Sequence, residues 1–537
     1  MTVRNVALSI STSSNFNSLS TAPFHYHSKL SILFVSAIFN PNGVYMNKVE
    51  FPKDTIQCPN LIGGEWTMGK GDKIEVFTPY NGSVVGLTSA ATKEEVTVAI
   101  SKANEAAKKW KATPLKERTQ TMFRFRDILI RDIDTIANTI SLESGKTLPE
   151  SRAGVMKGLE VLEFALSLQN LDGGGKMEVS RGVHCEYRRE PLGVVASITP
   201  FNFPAMVPMW TIPIAITLGN AYVWKPSEKT PLTATLIGKS LLEAGLPAGV
   251  LTILNGQVET VNEIIDNDAV KAVGFVGSSK IAKLVYQRAT SHGKRALCLG
   301  GAKNHIVLLP DADPEMAGAG IADSFTGCAG QRCMAASVLL AVGEVDKQIS
   351  KIVERAQSTT IGTKMGAIIT KEQVEFLNKA IDAAVADGAK LLLDGRGMKP
   401  EGNHEGGYWL GPTILDGVKP GTQAAITELF GPVISIVRCS NLSEALEIEN
   451  TNEYGNAASV FTNNGALAEI VSQNASAGMV GVNIGVPVPR EPFSFGGINE
   501  SKFGYGDITG ANSLNFWSDI KKVTTKWQMQ NDHNWMS

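Results

Sequence analysis

The sequence predicts an α/β protein with two parallel-sheet lobes, a cleft between them, and a small additional β element. Three observations predict it. From Gly193 to Ser278, short apolar runs of strand length alternate with helical stretches, the pattern of parallel strands covered on both faces. A second alternating series runs from Asn304 to Gly485. Residues 175–192 alternate polar and apolar like a hairpin standing apart from both series.

The elements follow in order. Residues 1–49 hold no Asp or Glu and are rich in Ser, Asn and Thr, with Arg4, Lys29 and Lys48 as the strong bases. An organelle transit segment is usually richer in Arg, and the apolar run Leu30 to Phe39 is too short to cross a bilayer. A targeting segment and an extension ahead of a start at Met46 both account for this text. Residues 1–45 are therefore expected to lie outside the fold, without order of their own. From Ile62, "LIGGEW" and "FTPYNGSVVG" place turn residues between β-rich runs and predict hairpins. Apolar spacing near three and four predicts an amphipathic helix over 93–112, and further helical stretches follow at 114–144 and 149–170. Strands in "GVVASITP", "AYVWKPS", "VLTILNG" and "KAVGFVGS" are then separated by helices in "MWTIPIAITLG", "TATLIGKSLLEAGL" and "VETVNEIIDN".

Composition excludes several function classes. Basic and acidic side chains nearly cancel, 50 against 52, which argues against nucleic acid as a partner. No membrane partner is expected either. The six cysteines are irregularly spaced with no CxxC pair, so free thiols in a reducing compartment are expected, cytoplasm and mitochondrial matrix both remaining open. The seven histidines form no HExxH motif, and no metal site is expected.

The stretch "FTGCAGQRCMAAS" places Cys333 among small residues that let a backbone approach a ligand closely. If Cys333 opens a helix, the helix dipole lowers its thiol pKa. A buried structural thiol is the commoner meaning of any lone cysteine. The surrounding text changes that balance. "ITPFNFPAMVPMWTIPIAITLGNAYVWKPSEKTPLTA" (198–234), "GFVGSSKIAK" (274–283), "LGGAKNHIVLLPDAD" (299–313), "GQRC" (330–333) and "ELFGPV" (428–433) stand in one order. Together they resemble the aldehyde dehydrogenase superfamily from Leu61 to Trp527.

The resemblance implies residue roles. Cys333 is the nucleophile that attacks an aldehyde, and Asn202 is the oxyanion-hole amide, which would stabilise the thiohemiacetal alkoxide together with the Cys333 N–H. NAD is the implied cofactor. Lys225 and Glu228 match the positions that bind the adenosine ribose, where a carboxylate favours NAD over its 2′-phosphorylated form. Gly274, Gly277 and Ser278 are expected between a strand and a helix start, where backbone N–H groups meet a pyrophosphate. Phe201, Glu428 and Phe430 complete the implied cofactor site. Taken singly, Asn202 would be a turn residue before Pro204, and Glu428 a surface carboxylate.

Two features narrow the branch. Arg332 precedes the nucleophile, and a guanidinium there suits a substrate with its own carboxylate; its structural alternative is a salt bridge within the lobe. Hydrolytic members carry a Glu just before Leu-Gly-Gly, whereas here the candidate positions are Cys298 and Leu299, neither able to activate water. A thioester on Cys333 would then wait for a thiol such as coenzyme A. "PFNFP", "GAKNH", "GQRCMA" and "PVPREPFSFGG" (487–497) resemble the CoA-acylating methylmalonate-semialdehyde dehydrogenase subgroup. That resemblance implies oxidation of malonate or methylmalonate semialdehyde, loss of CO₂, and release of acetyl- or propionyl-CoA, with valine catabolism among the pathways served. The chain departs from the subgroup at Lys157, where a second Arg is usual, at Glu491, which adds a charge near the substrate mouth, and in a short segment between "LLAVGEVD" and "MGAIIT".

By the same resemblance, a NAD-binding lobe takes residues 46–174 and 193–300, and a catalytic lobe takes 301–514. The 175–192 hairpin and 514–527 ("LNFWSDIKKVTTKW") would form a small oligomerisation sheet whose open edge pairs with another subunit, giving a homodimer or homotetramer. Two alternatives stay open: a hydrolytic NAD-dependent aldehyde dehydrogenase acting on another semialdehyde, and a non-catalytic protein on the same fold.

Overall fold

The structure is a computed structural model; it describes residues 48–171, 174–402 and 404–527. The expectation for residues 1–45 falls outside the described residues.

Two large sheets organise the chain. The first has eight strands in the order Lys502–Phe503, Arg295–Leu299, Val270–Val276, Val194–Ile198, Ala221–Lys225, Leu251–Ile253, Asn60–Ile62 and Glu65–Thr67. Its five central strands run parallel, and its edges are antiparallel. The second has seven strands, in the order Lys390–Leu393, Thr413–Asp416, Val433–Cys439, Ala336–Val342, Asn304–Leu308, Ala457–Phe461 and Met479–Val482. Every pairing but the first is parallel. Strands Val194–Ile198, Ala221–Lys225 and Asn304–Leu308 are buried at every residue, as parallel strands flanked by helices must be. The chain crosses back once: Lys502–Phe503, from beyond the second sheet, closes the edge of the first beside Cys298 and Leu299.

The helices sit where spacing put them. Lys93–Ala112 opens on a capping box, with Thr92 and Glu95 satisfying each other's backbone N–H groups. The stretch 114–144 divides at Asp132 into Leu115–Arg131 and Ile133–Ser144, and Leu148–Leu171 follows. Met206–Thr217 is apolar all round and buried from Val207 to Thr217, lying under the first sheet. "LIGGEW" and "FTPYNGSVVG" both belong to antiparallel hairpins.

A third, three-stranded antiparallel sheet joins Gly175–Ser180, Val183–Pro191 and Ser518–Lys526, the last two in nine-residue register. One expectation changes here. Leu514 to Trp517 close a helix, Gly510–Trp517, and the strand starts only at Ser518. Leu514, Phe516 and Trp517 are buried in the core with Tyr222, and the solvated face of a three-stranded sheet could not shelter them.

Candidate active site

Cys333 lies in a turn between a short 3₁₀ segment, Gly327–Gly330, and the strand Ala336–Val342. It does not open a helix, so the dipole argument for an acidified thiol fails. The preceding backbone has the reason. Cys328, Ala329 and Gly330 all take positive φ, at 53°, 52° and 68°, and helical continuation is impossible from there. Left-handed backbone at two non-glycine residues is strained and persists only where the surroundings enforce it. Part of the enforcement is the Glu150 carboxylate, which accepts from the Cys328 N–H. A β-carbon on Gly330 would collide with the Gly431 carbonyl. The Cys333 carbonyl accepts from both Asn304 Nδ2 and Asn456 Nδ2, each at 2.8 Å. Gln331 bridges to the Ala367 carbonyl and the Ile369 N–H.

Asn202 is buried and donates from Nδ2 to the Gln331 carbonyl at 3.0 Å. That bond uses one of the two amide hydrogens and fixes the amide plane beside the nucleophile's loop.

The Cys333 thiol is pushed up to about 12, first by burial and then by the Glu428 carboxylate, with Arg332 and Lys146 pulling the other way. Glu428 is itself raised to about 7 by burial, opposed by the Ala302 N–H and by Lys303. Its second oxygen faces Gly301, where any β-carbon would collide with it. Lys303 is fully buried, donates to the Thr427 carbonyl at 2.8 Å, and is lowered to about 7 by burial.

Cys333 opens onto a cavity of about 300 Å³, lined by Phe203, Met206, Trp210, Ile484, Val486, Val488 and Phe495, with Lys157, Arg332 and Arg490 as its cations. Arg332 is not free for a ligand along its whole length. Its Nη2 donates to the carbonyls of Asp323 and Ser324 at 2.6 and 2.8 Å, while its Nε is buried without a partner. Among the described residues no carboxylate pairs with it, so the salt-bridge alternative does not hold. Lys157 is engaged by Glu160 at 2.9 Å, Glu491 at 3.1 Å and the Pro489 carbonyl at 3.5 Å. Behind Phe203, the buried Lys146 Nζ stands 3.8 Å over the ring, with no hydrogen-bond partner.

A larger cavity of about 1160 Å³ runs along the carboxyl ends of the first sheet, the usual ligand position in such sheets. Phe201, Lys225, Glu228, Gly277 and Ser278 line it. Lys225 and Glu228 pair at 3.3 Å. Burial pushes Glu228 up, but Lys225 and Lys229 more than offset it and hold it near 2, charged at any ordinary pH. Ser278 caps the helix Ser279–Ser291 without a side-chain bond of its own. Phe201 meets Phe430 edge-on at 5.9 Å, where the two cavities approach. Gly274 is a correction: it sits inside the strand Val270–Val276, where a β-carbon would meet Ser197 and the Trp517 ring at 3.3 Å. Its missing side chain serves sheet-to-core packing, and it does not line the cavity.

Sequence reasoning missed Asn304, Asn456, Lys146 and Lys303. Asn304 and Lys303 lie within the "GAKNH" text, which could have pointed to them; Asn456 and Lys146 carry no such signal. Among the described residues no cluster of His, Cys, Asp or Glu could hold a metal ion, and no helix is long and apolar enough to cross a membrane.

The aldehyde dehydrogenase family pattern matches residues 66–523. The chain is 38% identical to malonate-semialdehyde dehydrogenase 3 of Geobacillus kaustophilus, over 88% of this chain and all of that protein. It is 40% identical to the acylating, mitochondrial methylmalonate-semialdehyde dehydrogenase of Arabidopsis thaliana, over 89% of this chain and 80% of that protein. It superposes with a TM-score of 0.86 and 37% identity on a Sinorhizobium meliloti protein assigned as a methylmalonate-semialdehyde dehydrogenase and crystallised with NAD, covering 89% of this chain and 99% of that one.

Proposed function

The chain belongs to the aldehyde dehydrogenase family, and from that premise we propose that it oxidises a short semialdehyde bearing its own carboxylate, of the malonate or methylmalonate type. NAD takes the hydride, and coenzyme A takes the acyl group. The names of its relatives support the substrate class and the acylating branch.

The cofactor cavity fits NAD. Glu228, ionised and flanked by Lys225, accepts hydrogen bonds from vicinal ribose hydroxyls and repels a 2′-phosphate. The start of the Ser279–Ser291 helix, after Gly277 and Ser278, would present backbone N–H groups to a pyrophosphate, while the Gly277 N–H itself is spent on the Leu299 carbonyl. Bound there, NAD supplies a hydride acceptor.

The chain's own groups do the rest. Cys333 Sγ, as thiolate, forms a bond to the aldehyde carbon, and the carbonyl π electrons move to oxygen. Asn202 Nδ2 and the Cys333 N–H hold that oxyanion. When the carbon gives up its hydride, the carbonyl re-forms as a thioester on Cys333. A carboxylate β to that carbonyl then leaves as CO₂, its electron pair passing into an enolate on the same oxygen. Protonation gives acetyl or propionyl thioester, and a CoA thiolate displaces Cys333 from it. The cation for the substrate carboxylate is Arg332, which lines the cavity beside Cys333.

The observation that carries the acylating branch is the character of residues 298 and 299. Cys298 is a fully buried thiol whose pKa burial raises, and Leu299 is apolar. Neither can draw a proton from water. The test is NADH formation from malonate semialdehyde with and without CoA. Without CoA, a burst equal to the active sites precedes a slow phase; with CoA, the slow phase accelerates and acyl-CoA forms. Fast turnover to free acid without CoA refutes the acylating branch and leaves the hydrolytic alternative.

The proposed assembly is a homodimer or homotetramer, joined through the open edges of the three-stranded sheet. The proposed lobe boundaries are 46–174 with 193–300 for NAD and 301–501 for the nucleophile; Lys502–Phe503 and the helix Gly510–Trp517, expected in the second lobe, pack with the first. The compartment is cytoplasm or mitochondrial matrix, and valine catabolism is a pathway that such an activity serves.

A further inference from the structure

Among the described residues three cations line the substrate cavity, Lys157, Arg332 and Arg490; Arg490 is largely exposed, with Glu160 4.0 Å away, and the other two are in opposite states. Arg332 keeps a buried, unpartnered Nε–H. Lys157, on the Leu148–Leu171 helix, has three N–H donors and three acceptors: Glu160, Glu491 and the Pro489 carbonyl. Glu491 comes from the far end of the chain, in the segment that also brings Val488, Arg490 and Phe495 into the cavity wall. Its side chain is only 9% exposed, against 38% for Glu160. A surface ion pair of this kind is worth little, whereas one nearly shut off from water holds its partner more firmly. The Glu491 carboxylate therefore occupies the position at Lys157 that a ligand's carboxylate would otherwise take.

We propose that Glu491 is a specificity-determining residue, an internal carboxylate that competes with the substrate for Lys157. The free enzyme then offers an incoming carboxylate Arg332 and the exposed Arg490, with Lys157 withdrawn. The substrate class is accordingly an aldehyde with a single carboxylate, and a second carboxylate placed at Lys157 is disfavoured, because it would face Glu491. This deepens the substrate assignment above and rests on it, but it concerns carboxylate binding and is measurable without turnover.

The experiment uses the full-length enzyme with NAD and two unreactive probes of equal shape, propionate and propionamide, whose inhibition constants are measured against propanal oxidation and whose affinities are measured by calorimetry. In Glu491→Gln and in Glu491→Ala, the preference for propionate over propionamide rises by about tenfold or more, the worth of one charge-assisted hydrogen bond. Adding Lys157→Met to either variant removes the gain. Lys157→Met alone, in the otherwise natural chain, lowers the preference for propionate, because it leaves Glu491 as an uncompensated, nearly buried carboxylate beside the probe. The proposal is overturned if the preference is unmoved in folded Glu491 variants, if the gain survives loss of Lys157, or if Lys157→Met alone leaves the preference unmoved or raises it. A rise in propionate preference together with no better turnover of malonate semialdehyde than of propanal would sink the substrate assignment and keep this inference. Efficient turnover of malonate semialdehyde with an unmoved preference would do the reverse.

Discussion

Replacing Arg332 with Leu separates the two things its guanidinium does. One is structural: Nη2 donates to the Asp323 and Ser324 carbonyls near the end of the helix Pro314–Thr326. The Asp323 carbonyl is at an exposed position and regains water, but the Ser324 site is part-buried, so one acceptor loses its partner at a cost of about 1–3 kcal/mol. The other is the proposed contact with a substrate carboxylate, a charge-assisted bond worth about 1.5–3 kcal/mol, or roughly ten- to a hundredfold in kcat/KM. The stability loss is read as the urea midpoint and is indifferent to substrate. The specificity loss is read as the ratio of kcat/KM for malonate semialdehyde to that for propanal. Arg332→Leu is expected to lower both. Gly327→Ala displaces the guanidinium without removing its charge, and because the displaced atom is the Nη2 that donates to the Asp323 and Ser324 carbonyls, the urea midpoint falls with it. The side chain of Arg332 passes over Gly327, and a β-carbon there would collide with Nη2. Gly327 has an ordinary φ of −57°, so its backbone tolerates alanine. The charge stays while the guanidinium moves, and the substrate ratio is expected to fall. Equal losses for both substrates in Arg332→Leu would mean that the guanidinium is only a brace, and the carboxylate assignment would be wrong.

The alternating body of the chain was legible because parallel strands buried on both faces are written as unbroken apolar runs. Val194–Ile198 and Ala221–Lys225 cannot be anything exposed. The site was legible as a set of residue types in order, and less so as geometry. Nothing in "TGCAGQRC" says that Cys328 and Ala329 adopt left-handed backbone, since neither residue prefers it; the Cys328 N–H is held by the carboxylate of Glu150, far away in the chain. The same loop turned an expected acidified thiol into one raised by burial. Gly274 was misplaced for a related reason. A glycine before a helix reads as a phosphate contact, but Trp517, far along the chain, needed the space. Lys157 and Glu491 are 334 residues apart, and a charge pair at that separation has no local signal. Arg332 was expected to find a carboxylate, within the protein or on a ligand. Backbone carbonyls, its actual partners, are invisible in side-chain text.

The remaining expectations concern the thiol and its neighbours. Cys333→Ala abolishes NADH formation and leaves NAD binding by calorimetry nearly intact; Cys328 cannot substitute, because it is buried away from the substrate cavity that Cys333 lines, and surviving activity would overturn the nucleophile assignment. Without cofactor, alkylation of Cys333 by iodoacetamide rises steeply with pH, because the thiolate is populated only on approach to a pKa of about 12; Glu428→Gln, by removing a nearby negative charge, speeds alkylation at pH 8, and an unchanged rate would mean that this charge does not reach the thiol. The last expectation concerns restoring a general base. Alternate residues of a strand face opposite sides, and the strand Arg295–Leu299 obeys this: Leu299 joins the core against which Cys333 packs, while Cys298 joins the core on the other face. Only position 299 can serve the nucleophile. Leu299→Glu is therefore expected to release free acid without CoA, and Cys298→Glu is expected to release none and to lose stability by burying an unpaired carboxyl. Position 299 is itself only 4% exposed, so burial will raise the new carboxyl as it raises Glu428 to about 7. A carboxyl takes a proton from water only when ionised, so the gained hydrolysis must climb with pH through that range rather than peak below it. Acid release that is equal in both variants, or that is absent from folded Leu299→Glu at pH 8, would show that the missing carboxylate is not what makes this thioester wait for a thiol.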